Sequence, residues 1–327
     1  MVASSRLCLD RGPTSRLPRG HRHFARMAPH GVVRARPGSW YGGRRLVRHD
    51  VWVIDDEELR KLGRRLCEVQ GVTGVLLGGS RARGEHTPES DFDLGIYYRR
   101  ALDIDTLEDL AREVAGPEAR VTRPGEWGPW VDGGGWLHIG GTAVDWLYRD
   151  LDRVRTSWED ARAGRYEFHF QIGHPFGVPD FMYAGEVALG VVLADPSGEI
   201  TALQQAARHF PPLLRDTLVA GLWEASFDID IARKAVTRGD TAYVAGCLFR
   251  VVEVCAHALH GVSGRWLINE KGAVAAAGRL PQAPDNFAER AQRILAHLGT
   301  TPGELSEVIA SAADLLADTT TACTSSR

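Results

Sequence analysis

The stretch Leu76-Leu77-Gly78-Gly79-Ser80-Arg81-Ala82-Arg83-Gly84, followed by Ser90-Asp91-Phe92-Asp93-Leu94, constrains this chain more than any other. Val72 to Leu77 is a short apolar run of the kind that forms a buried strand, and it stops at two glycines and a serine. Glycines there let backbone N–H groups approach a ligand closely. With the Ser80 hydroxyl, such a turn at the start of a helix makes a phosphate cradle. Phe92 to Tyr98 reads as a second strand. Asp91 and Asp93, two positions apart, project their carboxylates from one face. Paired carboxylates beside a phosphate cradle suit magnesium, which binds through one or two carboxylates plus substrate phosphates. Two such ions would activate an attacking hydroxyl and stabilise a departing pyrophosphate. Asp145 supplies a third acid, set in the otherwise apolar Thr142-Ala143-Val144-Asp145-Trp146-Leu147. A carboxylate buried there is costly unless it is paired or binds metal. Each signal also has an ordinary explanation: a solvated strand face, an Asp145–arginine pair, a plain glycine turn. Their order along the chain is the specific feature.

Around this motif the chain divides by composition. Residues 1–50 hold eleven arginines and a single acid before position 50, Asp10, although the whole chain carries a formal charge of −3. Such a segment, rich in Gly, Pro, Ser and Arg, offers no apolar face and reads as a basic disordered tail. A nucleic-acid arm, a transit peptide and an over-extended reading frame starting at Met27 or later are the alternatives. Residues 51–164 read as a mixed-sheet domain. A helix starts at Asp55-Asp56-Glu57-Glu58, with Leu59, Leu62, Leu66 and Val69 at helical spacing. Strands follow at 72–77, 92–98, 119–123, 136–139 and 142–148, with a helix over 106–114 and helices on one side of the sheet. Residues 165–180 read as an irregular linker. Residues 181–318 read as an all-helical bundle, with helices at 182–193, 200–209, 213–237, 241–260, 273–279, 286–298 and 302–316. Residues 319–327 are expected to be a disordered C-terminus. The fold class is therefore α+β, a sheet domain followed by a helical domain. No run approaches ~20 uninterrupted apolar residues, so no membrane span is expected. Five scattered cysteines without zinc spacing point to a reducing, cytoplasmic setting.

Gly79-Ser80, ten intervening residues and Asp91-Phe92-Asp93 resemble the signature of the DNA polymerase β-like nucleotidyltransferase superfamily. The wording Gly-Ser-Arg-Ala-Arg-Gly and Ser-Asp-Phe-Asp-Leu is similar to its minimal and aminoglycoside-type branches, over roughly residues 70–150. The resemblance implies transfer of a nucleoside monophosphate, AMP by preference, from a nucleoside triphosphate with Mg²⁺ and release of pyrophosphate. It makes Asp91, Asp93 and Asp145 both catalytic and metal-binding, and assigns Gly79, Ser80 and Arg81 to the nucleotide. Leu248-Phe249-Arg250 and Asn269-Glu270-Lys271 are similar to the helical domain of aminoglycoside adenylyltransferases. That likeness implies nucleotide contacts from Lys271 and Arg250; Arg250 and Glu253, one helical turn apart on one face, suit a surface ion pair, or a catalytic Glu253 that orients or deprotonates an acceptor hydroxyl.

Other residues carry weaker signals. His169 and His174 read as structural groups more readily than as a second metal site. Cys247 and Cys255 read as small buried hydrophobes. Trp127, Trp130 and Trp136 suit either a stacking surface or a packed lid. The expected acceptor is a small-molecule hydroxyl, with a cationic compound favoured by the acidic charge outside the tail. A protein side chain or an RNA 3′ end is the second reading, and a nucleotide-binding regulator without turnover the third. A nucleic-acid partner is not expected, since basic density is confined to the tail.

Overall fold

The Gly-Gly-Ser turn lies at the end of the second strand from one edge of a five-stranded sheet. The computed structural model describes residues 54–99 and 101–325, so the basic-tail reading of residues 1–50 lies outside the described residues. In chain order the elements are α1 (Asp56–Leu66), β1 (Val72–Leu77), α2 (Gly79–Ala82), β2 (Phe92–Tyr98), α3 (Ile104–Ala115), β3 (Gly134–Ile139), β4 (Thr142–Asp150) and α4 (Leu151–Arg162). A hairpin of β5 (Phe168–Gln171) and β6 (His174–Pro179) follows, then α5 (Met182–Leu189) and β7 (Val191–Ala194). The remainder is helical: α6 (Glu199–Ala207), α7 (Pro212–Ala220), α8 (Leu222–Ala235), α9 (Thr241–Val262), α10 (Ala273–Ala277), α11 (Phe287–Ala296) and α12 (Pro302–Ser325). The fold is α+β, a mixed sheet followed by a helical region.

The sheet order is β3-β4-β2-β1-β7, with β2 and β4 parallel and the other pairs antiparallel. One face is apolar throughout. Phe92, Leu94 and Ile96 of β2 and Val144, Trp146 and Tyr148 of β4 pack with Leu59, Leu62 and Leu66 of α1 and Leu107 and Leu110 of α3. Alternation along a strand sends Asp93, Tyr97, Asp145 and Arg149 to the opposite face. That face is not open, contrary to the expectation of helices on one side only. Leu76 and Tyr97 pack against Met182, Tyr183 and Val187 of α5, with Leu151 and Val154 of α4. A buried ion pair fastens the same contact, Arg149 donating to both Glu186 carboxylate oxygens at 2.6 and 2.7 Å.

Several expected boundaries move. The helix expected over 182–193 stops at Gly190, and Val191–Ala194 becomes the edge strand beside β1. Two valines and a leucine served helix and strand periodicity alike, and pairing with β1 decided between them. The expected linker 165–180 is a paired hairpin, and α4 is a helix that the fading strand signal had concealed. Residues 119–123 form no strand, although Thr122 N–H donates to the Gly134 carbonyl at 2.8 Å. The expected helix 213–237 is divided at Gly221 into α7 and α8, with a 3₁₀ turn over Val236–Arg238. The C-terminus expected to be disordered from 319 continues α12 to Ser325, with Thr319 and Cys323 buried. Helix α9 is long and apolar enough to cross a membrane by composition, but two thirds of that window (67%) is buried among α7, α8 and α12. The described residues form one compact unit.

Candidate active site

Register builds the site. Gly78 N–H donates to the Asp93 carbonyl at 2.7 Å, so the turn after β1 continues its pairing with β2. Asp93 lies beside Asp145 in the parallel β2–β4 ladder, and both carboxylates leave the same face. Asp91 stands one residue before β2, exposed at the strand mouth. Two of these acids are perturbed. Burial, then Glu186 and Asp91, raise the Asp93 carboxyl above its usual value, against the pull of Arg149 and Arg83. Asp145 is pushed up to about 6 by burial first and then by Asp93 and Asp91. Carboxyls raised by burial and by neighbouring acids in this way form a site a cation would relieve.

Gly79 is required twice. Its φ of +64° is a conformation side chains rarely adopt, and an added Cβ would stand 1.7 Å from Asp93 Oδ2. The carboxylate thus rests against a bare backbone at the start of α2. Ser80, next in line, is half-buried.

Arg81 is occupied elsewhere than the sequence suggested. Its guanidinium donates to the Ser90 carbonyl at 2.6 and 2.9 Å and to the Asp91 carbonyl at 3.2 Å, and lies 3.8 Å from the Phe92 ring centroid. It clamps the 83–91 loop and so positions Asp91.

The helical half contributes differently from the expectation. Arg250 is held by Glu224 at 3.0 Å and Asp228 at 3.2 Å, across the α8–α9 packing. Glu253 is buried, its Oε2 has no hydrogen-bond partner, and burial with Glu270 pushes its carboxyl up to about 8. Its charged neighbour is Glu270, while the aspartates answer to each other and to Glu186. A group protonated at neutral pH is a poor base. Lys271 is exposed, its backbone N–H donating to Asn269 Oδ1 at 2.7 Å. What does reach across is Arg279, just beyond α10, 3.9 Å from Glu85 in the loop after α2.

His174 pairs with Glu270 at 3.2 Å, and His169 stacks on Trp130 with centroids 3.7 Å apart, so both join elements together. Cys247 and Cys255 are buried on α9. The residues missed from sequence are Glu186 and Arg149, an ordinary-looking pair that only the packing of α5 brings beside Asp93.

Among the described residues, no group of three His, Cys, Asp or Glu side chains is arranged to hold a metal ion. The donor set still fits magnesium, with oxygen ligands only and two acids adjacent across one ladder, the remaining positions being those that phosphates and water fill. Asp91, Asp93 and Asp145 would hold it.

Residues 59–121 match the nucleotidyltransferase domain family. A solved structure of a nucleotidyltransferase-like protein from Exiguobacterium sibiricum is similar at 12% identity and TM-score 0.41, over 80% of this chain and 74% of that one. No curated protein matches the chain. The chain carries a nucleotidyltransferase domain, and its enzyme class is that of a transferase.

Proposed function

We propose that the protein transfers a nucleoside monophosphate, AMP by preference, from a nucleoside triphosphate to a hydroxyl of a small molecule, with Mg²⁺. The observation that carries this reading is the adjacency of Asp93 and Asp145 in the parallel ladder, with the Gly78–Ser80 turn hydrogen-bonded to the Asp93 carbonyl. Backbone N–H groups of the turn and the Ser80 hydroxyl cradle the triphosphate. Magnesium, when bound, offsets charge on the triphosphate and polarises its α-phosphorus.

Asp145 is the acceptor-side acid. Its carboxylate, beside Asp93 across the ladder, stands where it can take the proton of the attacking hydroxyl. The acceptor oxygen attacks the α-phosphorus and its proton passes to Asp145. A new O–P bond forms, the α–β P–O bond breaks, and pyrophosphate leaves with that electron pair. Arg81 keeps Asp91 in place by holding its carbonyl. Arg279 and Glu85 tie the helical half to the cradle loop, which orients an acceptor between them. Lys271, exposed on a flexible stem, is free to meet phosphate as a point charge.

The test is incubation with each labelled nucleoside triphosphate, Mg²⁺ and a panel of small alcohols, RNAs and proteins, following pyrophosphate. Transfer to a small molecule that disappears in Asp93→Asn supports the reading. Turnover undiminished in that variant refutes it.

A further inference from the structure

Helix α8 is apolar on two sides. Leu222, Ala225, Ile229, Ala232 and Ala235 are buried in the helical core. Trp223 and Phe227, on the other side, are 66% and 57% exposed. A helix turns about 100° per residue, so steps of four, three and four residues set Trp223, Phe227, Asp230 and Lys234 in one stripe along the crown of the outer face. Side chains on that crown point straight at water. Tyr243, 45% exposed in the first turn of α9, stands beside the C-terminal end of α8 and widens the surface. Single apolar side chains on a surface are ordinary. Two large rings one turn apart, with a third nearby, make a patch of the kind that marks an interface.

The charges around the stripe select what covers it. Glu224 and Asp228, on the flank toward α9, are held by Arg250 at 3.0 and 3.2 Å, and Asp230 is held by Arg233 at 2.7 Å. Lys234 is exposed and enters no ion pair among the described residues. The stripe therefore offers aromatic rings in its N-terminal half and an unpaired ammonium at its C-terminal end. Trp223 and Lys234 are the two halves of a cation–π contact, but at ~16 Å apart along the axis they cannot meet within one helix. A second α8 running antiparallel brings them together twice. It sets Trp223 opposite the partner's Lys234, Lys234 opposite the partner's Trp223, and Phe227 against its own copy at the two-fold axis. A parallel arrangement puts Lys234 on Lys234 and aligns the two helix dipoles. A basic partner would meet Lys234 with like charge, and an acidic one would meet Glu224, Asp228 and Asp230. The area agrees. At ~150–250 Å² for a whole aromatic side chain, these exposures leave roughly 350 Å² of ring surface per subunit. A standard interface buries ~800 Å² per partner, somewhat over half of it apolar. The three rings supply most of that apolar core.

We propose that the protein is a two-fold homodimer joined through α8, with Phe227 at the axis and each Trp223 capped by the other subunit's Lys234. The surface complements itself, which is the property that makes a second copy its partner. Such an isologous contact uses the same patch on both subunits, so assembly ends at two. The tryptophans are the anchors, since a large ring desolvated near the centre of an interface carries much of its binding energy. The proposal does not depend on the transfer reaction.

Sedimentation velocity of the full chain over a concentration series tests this on the wild type, Phe227→Glu, Lys234→Glu and Lys61→Glu, with far-UV circular dichroism to show that each is folded. The expected wild-type species has twice the mass of the 35.8 kDa chain. Phe227→Glu places two carboxylates at the axis and should sediment as a monomer throughout. Lys234→Glu should raise the dissociation constant roughly tenfold, because two equivalent contacts are lost at once. Lys61→Glu makes the same charge change at an exposed position on α1 and should leave the dimer intact. Should Phe227→Glu misfold, the comparison of Lys234→Glu with Lys61→Glu decides alone. A wild type that stays monomeric means that something other than a second copy covers α8, and overturns the proposal. Assembly beyond two, a Phe227→Glu protein that still dimerises, or equal weakening by Lys234→Glu and Lys61→Glu would overturn it as well.

Discussion

Glu253 should make this protein less stable as pH rises, and its replacement by glutamine should remove that dependence. The side chain is 2% exposed on α9 and its Oε2 lacks a partner. Burial first, and Glu270 second, push its carboxyl from 4.5 to about 8. Between these two values the folded chain holds a proton that the unfolded chain has released. Stability is therefore greatest below pH 4.5, falls as pH rises through the window, and levels off above 8. At 1.36 kcal/mol for each unit, the ceiling is about 5 kcal/mol. Relaxation and water entry around a newly ionised group bring the expected loss to ~2–3 kcal/mol. Glu253→Gln keeps the shape and stays neutral at every pH. Urea denaturation of both proteins at pH 5, 7 and 9, with m-values compared, reads the effect directly. The two should be within about 1 kcal/mol at pH 5, and the variant more stable by ~2–3 kcal/mol at pH 9. Groups remote from Glu253 are common to both proteins and cancel in the difference. An unchanged gap between pH 5 and pH 9 would refute the argument.

Gly79→Ala should cost ~1–3 kcal/mol in a thermal melt and abolish transfer, because its Cβ would stand on Asp93 Oδ2 in a strained backbone. Arg81→Ala should lower kcat roughly 5–100-fold with little change in nucleotide KM, since it frees the Ser90 and Asp91 carbonyls and loosens Asp91. A rise in KM alone would return Arg81 to direct nucleotide contact. Deleting residues 318–327 should lower urea stability by ~2–4 kcal/mol, because Thr319 and Cys323 are fully buried on α12. Unchanged stability would mean that this last stretch of helix is dispensable.

The two strands that flank the motif were legible because their cause is local. Apolar runs bounded by glycine or by acids predict β1 over 72–77 and β2 over 92–98, and both appear with those limits. The start of α1 was equally readable from its run of acids. Asp55 with Glu58 forms the reciprocal box that starts α1, and Thr301 with Glu304 does the same for α12. Failures came where a segment satisfied two patterns at once. Val191–Ala194 suited a helix until β1 offered an edge, and Phe168–Pro179 looked irregular because neither strand of its hairpin repeats long enough to show a period.

By itself the sequence determined which residues make up the candidate motif: an Asp-x-Asp strand, a Gly-Gly-Ser turn before it and a lone acid in a later apolar strand. Spacing along one strand settles which face a side chain takes, and that is a property of the covalent chain. Tertiary structure decided everything that needs two segments to meet. It set Asp145 beside Asp93 through the β2–β4 register and gave Asp93 the neighbours Glu186 and Arg149 by folding α5 back onto the sheet. It also spent Arg250 on α8, sank Glu253 into the core, and left Trp136 exposed opposite Asp145. The physical reason is that partner choice depends on loop closure and packing summed over the whole chain, so residues tens of positions apart compete for one charge. No local pattern records the winner.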